Sequence, residues 1–236
     1  MRAGVGRRTG KERRFSGRRE VAIGLGVYAL YLLASRRKRG QDGQLQAAKN
    51  AERVVALERR LGIHVEPKLQ ELLLPYRRLL GVLNVAYVFS NAALTVGFLM
   101  RLYARRHPEF HRFRRAAVLT TLVCQPIFYF FPCAPPRSLD HFVDTIADVS
   151  GLDLDSGAVA QLYDPLAAMP SIHVAYAVVT AAGVVEASES PVLRAVAPAY
   201  PPLVAAVVFV TANHYVLDAV AGVAVAGVAL RLSRPK

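Results

Sequence analysis

Apolar residues in this chain fall into six blocks, at 21–34, 79–100, 116–131, 169–187, 192–211 and 215–232, each carrying few or no charges. Short polar or basic stretches separate them. Blocks of this length and composition predict helices, most of them long enough to cross a bilayer. The block at 21–34 has 14 residues, about 21 Å as a helix, against a hydrocarbon core of roughly 30 Å. A basic leader in front of it resembles a signal peptide, but Arg36–Arg39 follows directly and no small-residue cleavage site appears, so it reads as an uncleaved membrane segment. Pro198, Pro201 and Pro202 predict that the fifth block is kinked or starts late.

Between the first two blocks the pattern changes. Residues 44–75 show a helical period, with Ala47, Ala51, Val54, Val55 and Leu61 on one side and Arg53, Glu58, Arg59 and Arg60 largely elsewhere. Gly62 would end that helix and Pro67 punctuates the next segment. This is an interfacial amphipathic helix or a helix packed on the outside of the bundle. The predicted fold is all-α: a polytopic six-helix transmembrane bundle with an interfacial amphipathic helix. Its expected parts are a basic disordered leader (1–19), a first membrane segment and basic linker (20–43), the amphipathic segment (44–78) and a catalytic core (79–236).

Composition supports the membrane reading. The chain is 53% hydrophobic, yet has 30 Lys+Arg against 17 Asp+Glu and a net charge of +13. Its basic residues flank apolar blocks and form no single face with interleaved aromatics, which argues against nucleic acid and for lipid headgroups and topology. The stretch 101–115 has six Arg, while 132–170 has one, Arg137, and six Asp. The positive-inside rule places the first in the cytoplasm and the second outside, with both termini cytoplasmic. The stretch 35–78 conflicts with this, since its eleven Lys/Arg would lie outside unless the first segment does not fully cross or the stretch follows the interface. Cys124 and Cys133 are not expected to pair, and no zinc-type Cys/His spacing occurs.

Three polar islands interrupt the apolar pattern where blocks begin or end: PCAPPR with Ser138 at 132–138, MPSIH at 169–173 and NHYVLD at 213–218. The topology above puts all three on one face. His214 and Asp218 are four apart, so on a helix a carboxylate one turn away can orient the imidazole and leave its other nitrogen basic. The same spacing also suits a satisfied polar pair or a metal. In MPSIH, Pro170 suits a first helical turn and Ser171 would sit beside free backbone N–H groups, a cradle for phosphate, with His173 near enough to give a proton to a leaving oxygen. A plain serine cap with an interfacial histidine is the alternative. Arg137 offers bidentate donors to phosphate, or is simply an arginine that anchors to headgroups.

APPR at 134–137, AAMPSIH at 167–173 and NHYVLD at 213–218 resemble the three signature motifs of the type 2 phosphatidic acid phosphatase superfamily, and more closely its inositol phosphorylceramide synthase-like branch. The resemblance covers about residues 45–232. It implies a lipid phosphatase or phosphotransferase that needs no metal or cofactor. His214 would be the nucleophile forming a phosphohistidine, Asp218 its orienting partner and His173 the proton donor. Arg137 and Ser171 would hold the phosphoryl oxygens. The implied partners are the bilayer and a phospholipid or polyprenyl phosphate. The implied place is a bacterial-type plasma membrane with an extracytoplasmic site. Four positions depart from the wider superfamily: Phe130 stands where a lysine is usual, Ser138 where proline follows the arginine, Val208 where an arginine precedes the third motif, and Ile172 where glycine is usual. The loss of two cations favours a phosphodiester donor, as in inositol-phosphate transfer.

Other readings stay open. A non-catalytic membrane protein that binds phosphorylated headgroups uses the same islands. A transporter is disfavoured because no charge lies near the middle of a block, and an Asp-rich metal motif for CDP-alcohol chemistry is absent. No residue pattern sets the oligomeric state.

Overall fold

A computed structural model describes residues 15–36, 40–152 and 164–235. Most of the expected leader lies outside them; its last residues, from Gly17, already belong to the first helix. The described residues are helical, with one isolated parallel bridge between Cys133 and Ala167 and no strand. The elements are α1 (Gly17–Arg36), α2 (Gln41–Leu61), α3 (Glu66–Leu73), α4 (Arg77–Val85), a π-helical turn (Ala86–Ser90), α5 (Asn91–Ala104), α6 (Phe110–Phe130), α7 (Thr145–Ser150), α8 (Ile172–Ala187), α9 (Pro191–Val196), α10 (Tyr200–Val210) and α11 (Val216–Ser233).

Each of the six apolar blocks is helical, but not each is a membrane span by length and composition. Two stretches meet that standard, Pro191–Val210 and Val216–Ser233. A third is added if Arg77–Phe89 and Ala93–Ala104, bent by 46°, count as one broken span. The rest fall short for physical reasons. α8 has only 16 residues, about 24 Å, and the first turns of α6 carry Arg112, Arg114 and Arg115. The proline-rich block runs as one stretch from Pro191 to Val210, with the effect of its prolines confined to a 3-10 turn at Ala197–Ala199 between α9 and α10.

Helices α6, α8, α10 and α11 pack together as the centre of the molecule. Their facing residues are small, as is usual where helix backbones approach closely in an apolar setting. Ala116, Ala175, Val179 and Ala226 are buried together around Phe113. Gly222 marks the tightest approach, since a Cβ there would run into the backbone carbonyl of Ser171. Outward-facing Leu203, Val220 and Leu232 remain exposed on the two spans, as lipid-facing residues must.

The amphipathic segment is packed on this centre. Ala47, Ala51, Val54 and Val55 of α2 form one apolar cluster with Cys133, Ala134, Ala168 and Tyr215. Two expected positions are exchanged: Leu61 is exposed, while Glu58 is fully buried. Glu58 follows Val54 by one turn, so the helical period itself puts it on the inner face. Gly62 ends α2 in the left-handed region at φ 69°, as its lack of a Cβ allows.

Candidate active site

The three polar islands meet at one end of the central helices. Cys133 N–H donates to the Leu166 carbonyl at 2.8 Å, and Ala168 N–H donates to the Cys133 carbonyl at 3.1 Å. These bonds join the first island to the residues leading into the second. Arg137 N–H donates to the Ala212 carbonyl at 2.8 Å, joining the first island to the third. Side chains of α2–α4 fix the loop that carries Arg137. Asn50 donates to the Pro132 carbonyl at 2.8 Å, Gln70 exchanges two bonds of 2.9 Å with Val143, and Asn84 donates to the Thr145 carbonyl at 2.6 Å.

His214 sits in the turn between α10 and α11, nearly buried at 3% exposure. That turn passes through Ala212 at φ 52°, a left-handed conformation that costs a non-glycine residue about 1–2 kcal/mol and belongs to strain of the kind found at functional sites. The His214 Nδ1 lies 2.8 Å from the Ala168 carbonyl and 3.3 Å from Asp218 Oδ2. A carbonyl only accepts, so Nδ1 carries the hydrogen and Nε2 has the lone pair. The tautomer is therefore held first by the backbone carbonyl just before the second island, with Asp218 as the more distant acceptor. Asp218 Oδ2 also accepts from Tyr215 N–H at 3.0 Å, which closes the first turn of α11. Burial pulls the His214 pKa down to about 4; the Ala168 hydrogen bond opposes this and Arg137 adds to it.

His214 Nε2 faces His173 Nδ1 at 3.4 Å. His173 stands in the first turn of α8 and is stacked on Tyr87, with ring centroids 4.6 Å apart. Tyr87 lies in the π-helical turn, a distortion frequent at functional sites. Nothing in the apolar pattern around Tyr87 distinguishes it from core.

Ser171 takes the cap position that the sequence left open as an alternative. It is the N-cap of α8, with its fully buried Oγ accepting from Val174 N–H at 3.3 Å, so Pro170 precedes the cap and is not in the first turn. Arg137 is not isolated either. Its Nε donates to Asn213 Oδ1 at 3.1 Å and its Nη1 to Asp144 Oδ2 at 3.0 Å. Asp144 also caps α7 through Ile146 and Ala147 N–H. The guanidinium is thus locked in a defined plane at the edge of the site. Asp144 escaped the sequence reading because six aspartates share that loop.

Glu58 and Glu66 also escaped it. Both are fully buried, and both cap α11 from outside: Glu66 Oε1 accepts from Val216 N–H at 2.6 Å and Glu58 Oε1 from Leu217 N–H at 2.7 Å. They take up two of the free donors that every helix start leaves. Burial, reinforced by Glu66, pushes the Glu58 pKa up to about 8 against the Leu217 hydrogen bond.

Two imidazoles in contact, a tautomer fixed by a carbonyl and a carboxylate, and a locked arginine are brought together on an apolar helical chain with two candidate membrane-spanning helices. The chain belongs to the PAP2 superfamily, whose family model matches residues 52–232. Membership supports phosphatase-type enzyme activity. No characterised protein and no solved structure shows significant similarity to it.

Proposed function

We propose that this protein is a membrane-embedded lipid phosphotransferase or phosphatase that works through a phosphohistidine on His214, on the extracytoplasmic face of a bacterial-type plasma membrane. In this reading the six apolar helical segments form one transmembrane bundle. The observation that carries the proposal is the pair of imidazoles, with the His214 Nε2 lone pair aimed at His173 Nδ1 across 3.4 Å.

The phosphorus of the donor enters between the two rings. His214 Nε2 attacks it in line, the P–O bond to the leaving alcohol breaks, and His173 gives that oxygen its proton. Water or an acceptor alcohol then loses a proton to His173 and attacks phosphorus, and the P–N bond breaks. Attack from about 3 Å and a hydrogen bond to the leaving oxygen require roughly 7 Å between the nitrogens, so the rings part as substrate enters. Arg137 and the start of α8 at Ser171 hold the phosphoryl oxygens, which are charged throughout.

The lipid assignment has support of its own. A wholly apolar cleft of about 410 Å³, lined by residues including Ile127, Phe131, Met169, Pro170, Ala221 and Val225, opens beside the start of α8. An acyl or isoprenoid chain in that cleft would leave its phosphate at Ser171 and His173. With Phe130 and Val208 in place of cations, a phosphodiester such as phosphatidylinositol suits the charge of the site better than a compact monoester.

The test is incubation of the purified protein with phosphatidylinositol, phosphatidic acid and a polyprenyl pyrophosphate, following lipid and phosphate products and trapping any phosphoenzyme. The expected result is turnover of one class, vanadate inhibition and an acid-labile, base-stable phosphoenzyme absent from His214→Ala. Headgroup binding without turnover would establish the non-catalytic reading instead.

A further inference from the structure

We propose that Glu58, His64 and Glu66 form a binding site for one divalent transition-metal ion, of which zinc is the representative, outside the catalytic pair. The inference goes beyond the phosphotransfer reading and does not depend on it.

The three residues come from the last turn of α2, the loop after it and the first residue of α3. Each presents one ligand atom to the others within 4.8 Å. His64 Nδ1 lies 3.3 Å from Glu58 Oε2 and 3.1 Å from Glu66 Oε2. The His64–Glu58 contact is a hydrogen bond as it stands; a tetrahedral ion with bonds of about 2.0–2.1 Å has ligand–ligand edges of roughly 3.3 Å, so both separations also fit ligands around a shared centre. Glu66 is fully buried, and its Oε2 has no hydrogen-bond partner despite standing beside the imidazole. That oxygen is aimed into the cluster without the geometry of a hydrogen bond.

Burial bears on the same cluster. Glu58, Glu66 and the nearby Asp218 are all fully buried, and a buried carboxyl group is kept neutral by a proton, paired with a cation or bound to a metal. The basic groups near them are few: His64, His141 with its ring centroid 6.3 Å from that of His64, Arg59 close to His64, and the amides at the start of α11. The outer support of a metal site is already built. Glu58 Oε1 and Glu66 Oε1 are pinned by the Leu217 and Val216 amides, which leaves Oε2 of each carboxylate turned towards His64. Ligating carboxylates are held this way by partners behind them. Two carboxylates and one imidazole, with room for water, are a set of hard and borderline donors that suits zinc or its neighbours. An ion there would tie α2 and α3 to the first turn of α11, and the displacement at His214 has no step that passes through it.

The experiment uses untagged, full-length protein in detergent. Elemental analysis is made without chelator, followed by chelation and titration with zinc chloride under a competing indicator. We expect about one ion per chain or, after chelation, saturable one-to-one zinc binding. His64→Ala and Glu66→Gln should weaken binding at least about tenfold, with Glu66→Gln preserving shape and the amide acceptor, and His214→Ala should bind as wild type. Wild-type protein without metal and without saturable binding below 100 µM, as roughly expected for an adventitious site, would overturn the proposal. So would unchanged affinity in both variants, or loss of binding in His214→Ala. Because the readout is metal content, the result stands whether or not any lipid is turned over.

Discussion

Two buried clusters of histidine and carboxylate stand on either side of the first turn of α11, and they are built in opposite ways. In the histidine cluster, the proposed catalytic one, two imidazoles face each other and a single carboxylate stands behind, shared between His214 and the Tyr215 amide. In the outer cluster two carboxylates face a single imidazole. The first has an excess of bases and presents the His214 Nε2 lone pair to His173, which suits the proposed attack on phosphorus. The second has an excess of carboxyl oxygens, which suits a helix start or a cation and offers no base placed for attack on an anion. Residue types alone do not separate them; the ratio of acid to base, and which atom the backbone already occupies, does.

The comparison is broken most severely at His214. His214→Ala should lower turnover of whichever lipid is the substrate by at least about a thousandfold, the scale of losing a nucleophile, while helicity by circular dichroism stays unchanged. Retained turnover would remove the catalytic cluster from the chemistry altogether.

How much of this was visible beforehand differs between the clusters. His173, His214, Asp218 and Arg137 stood out because a polar residue at the end of an apolar block needs a reason. The fold class was legible from block lengths, and so was the inner face of α2. Glu58 was lost because a charged residue in an amphipathic helix is read as outward-facing, although its position one turn after Val54 placed it inside. The caps on α11 join residues 150 and 159 positions apart, and no local pattern reports such a pairing. The same holds for the Ala168 carbonyl, an acceptor that every residue possesses. Crossing number was less legible, because only two or three of the described segments have the length and composition of a span, and an apolar block alone does not fix whether it crosses.

A second prediction uses protonation. Folded His214 titrates near 4, against 6.5 for the free imidazole. The unfolded chain therefore binds this proton first. The stability linked to it is complete above about pH 6.5 and is lost as pH falls from there to about 4, to a limit of about 3 kcal/mol. Thermal midpoints of wild type and His214→Gln, measured from pH 7 to 4, should converge as the wild type loses this share. Parallel curves would mean that the ring is solvated and not buried between the islands.

A third change acts on the catalytic cluster and spares the outer one. Gly222→Ala places a methyl group against the Ser171 carbonyl, which is backbone and cannot swing aside. α8 must shift relative to α11, carrying His173 away from His214. Overpacking of this kind costs about 1–3 kcal/mol, read as a lower melting temperature, and turnover should fall more than lipid binding. Unchanged turnover would show that the two rings tolerate displacement.

The smallest effect lies on the other side of the same helix turn. Glu66→Ala removes the acceptor for Val216 N–H and should cost about 0.5–2 kcal/mol, the range for a lost helix cap. Glu66→Gln keeps a carbonyl oxygen in the same place and should cost less than half of that. The local signature is faster hydrogen exchange at the amides of Val216 and Leu217 in Glu66→Ala, with exchange in α6 unaffected. If α11 positions His214 through its first turn, turnover falls in Glu66→Ala with little change in KM and recovers in Glu66→Gln. Equal exchange in the two variants would mean that α11 is held by its packing on α6 and α8 alone, and that the outer carboxylates serve only their own charge.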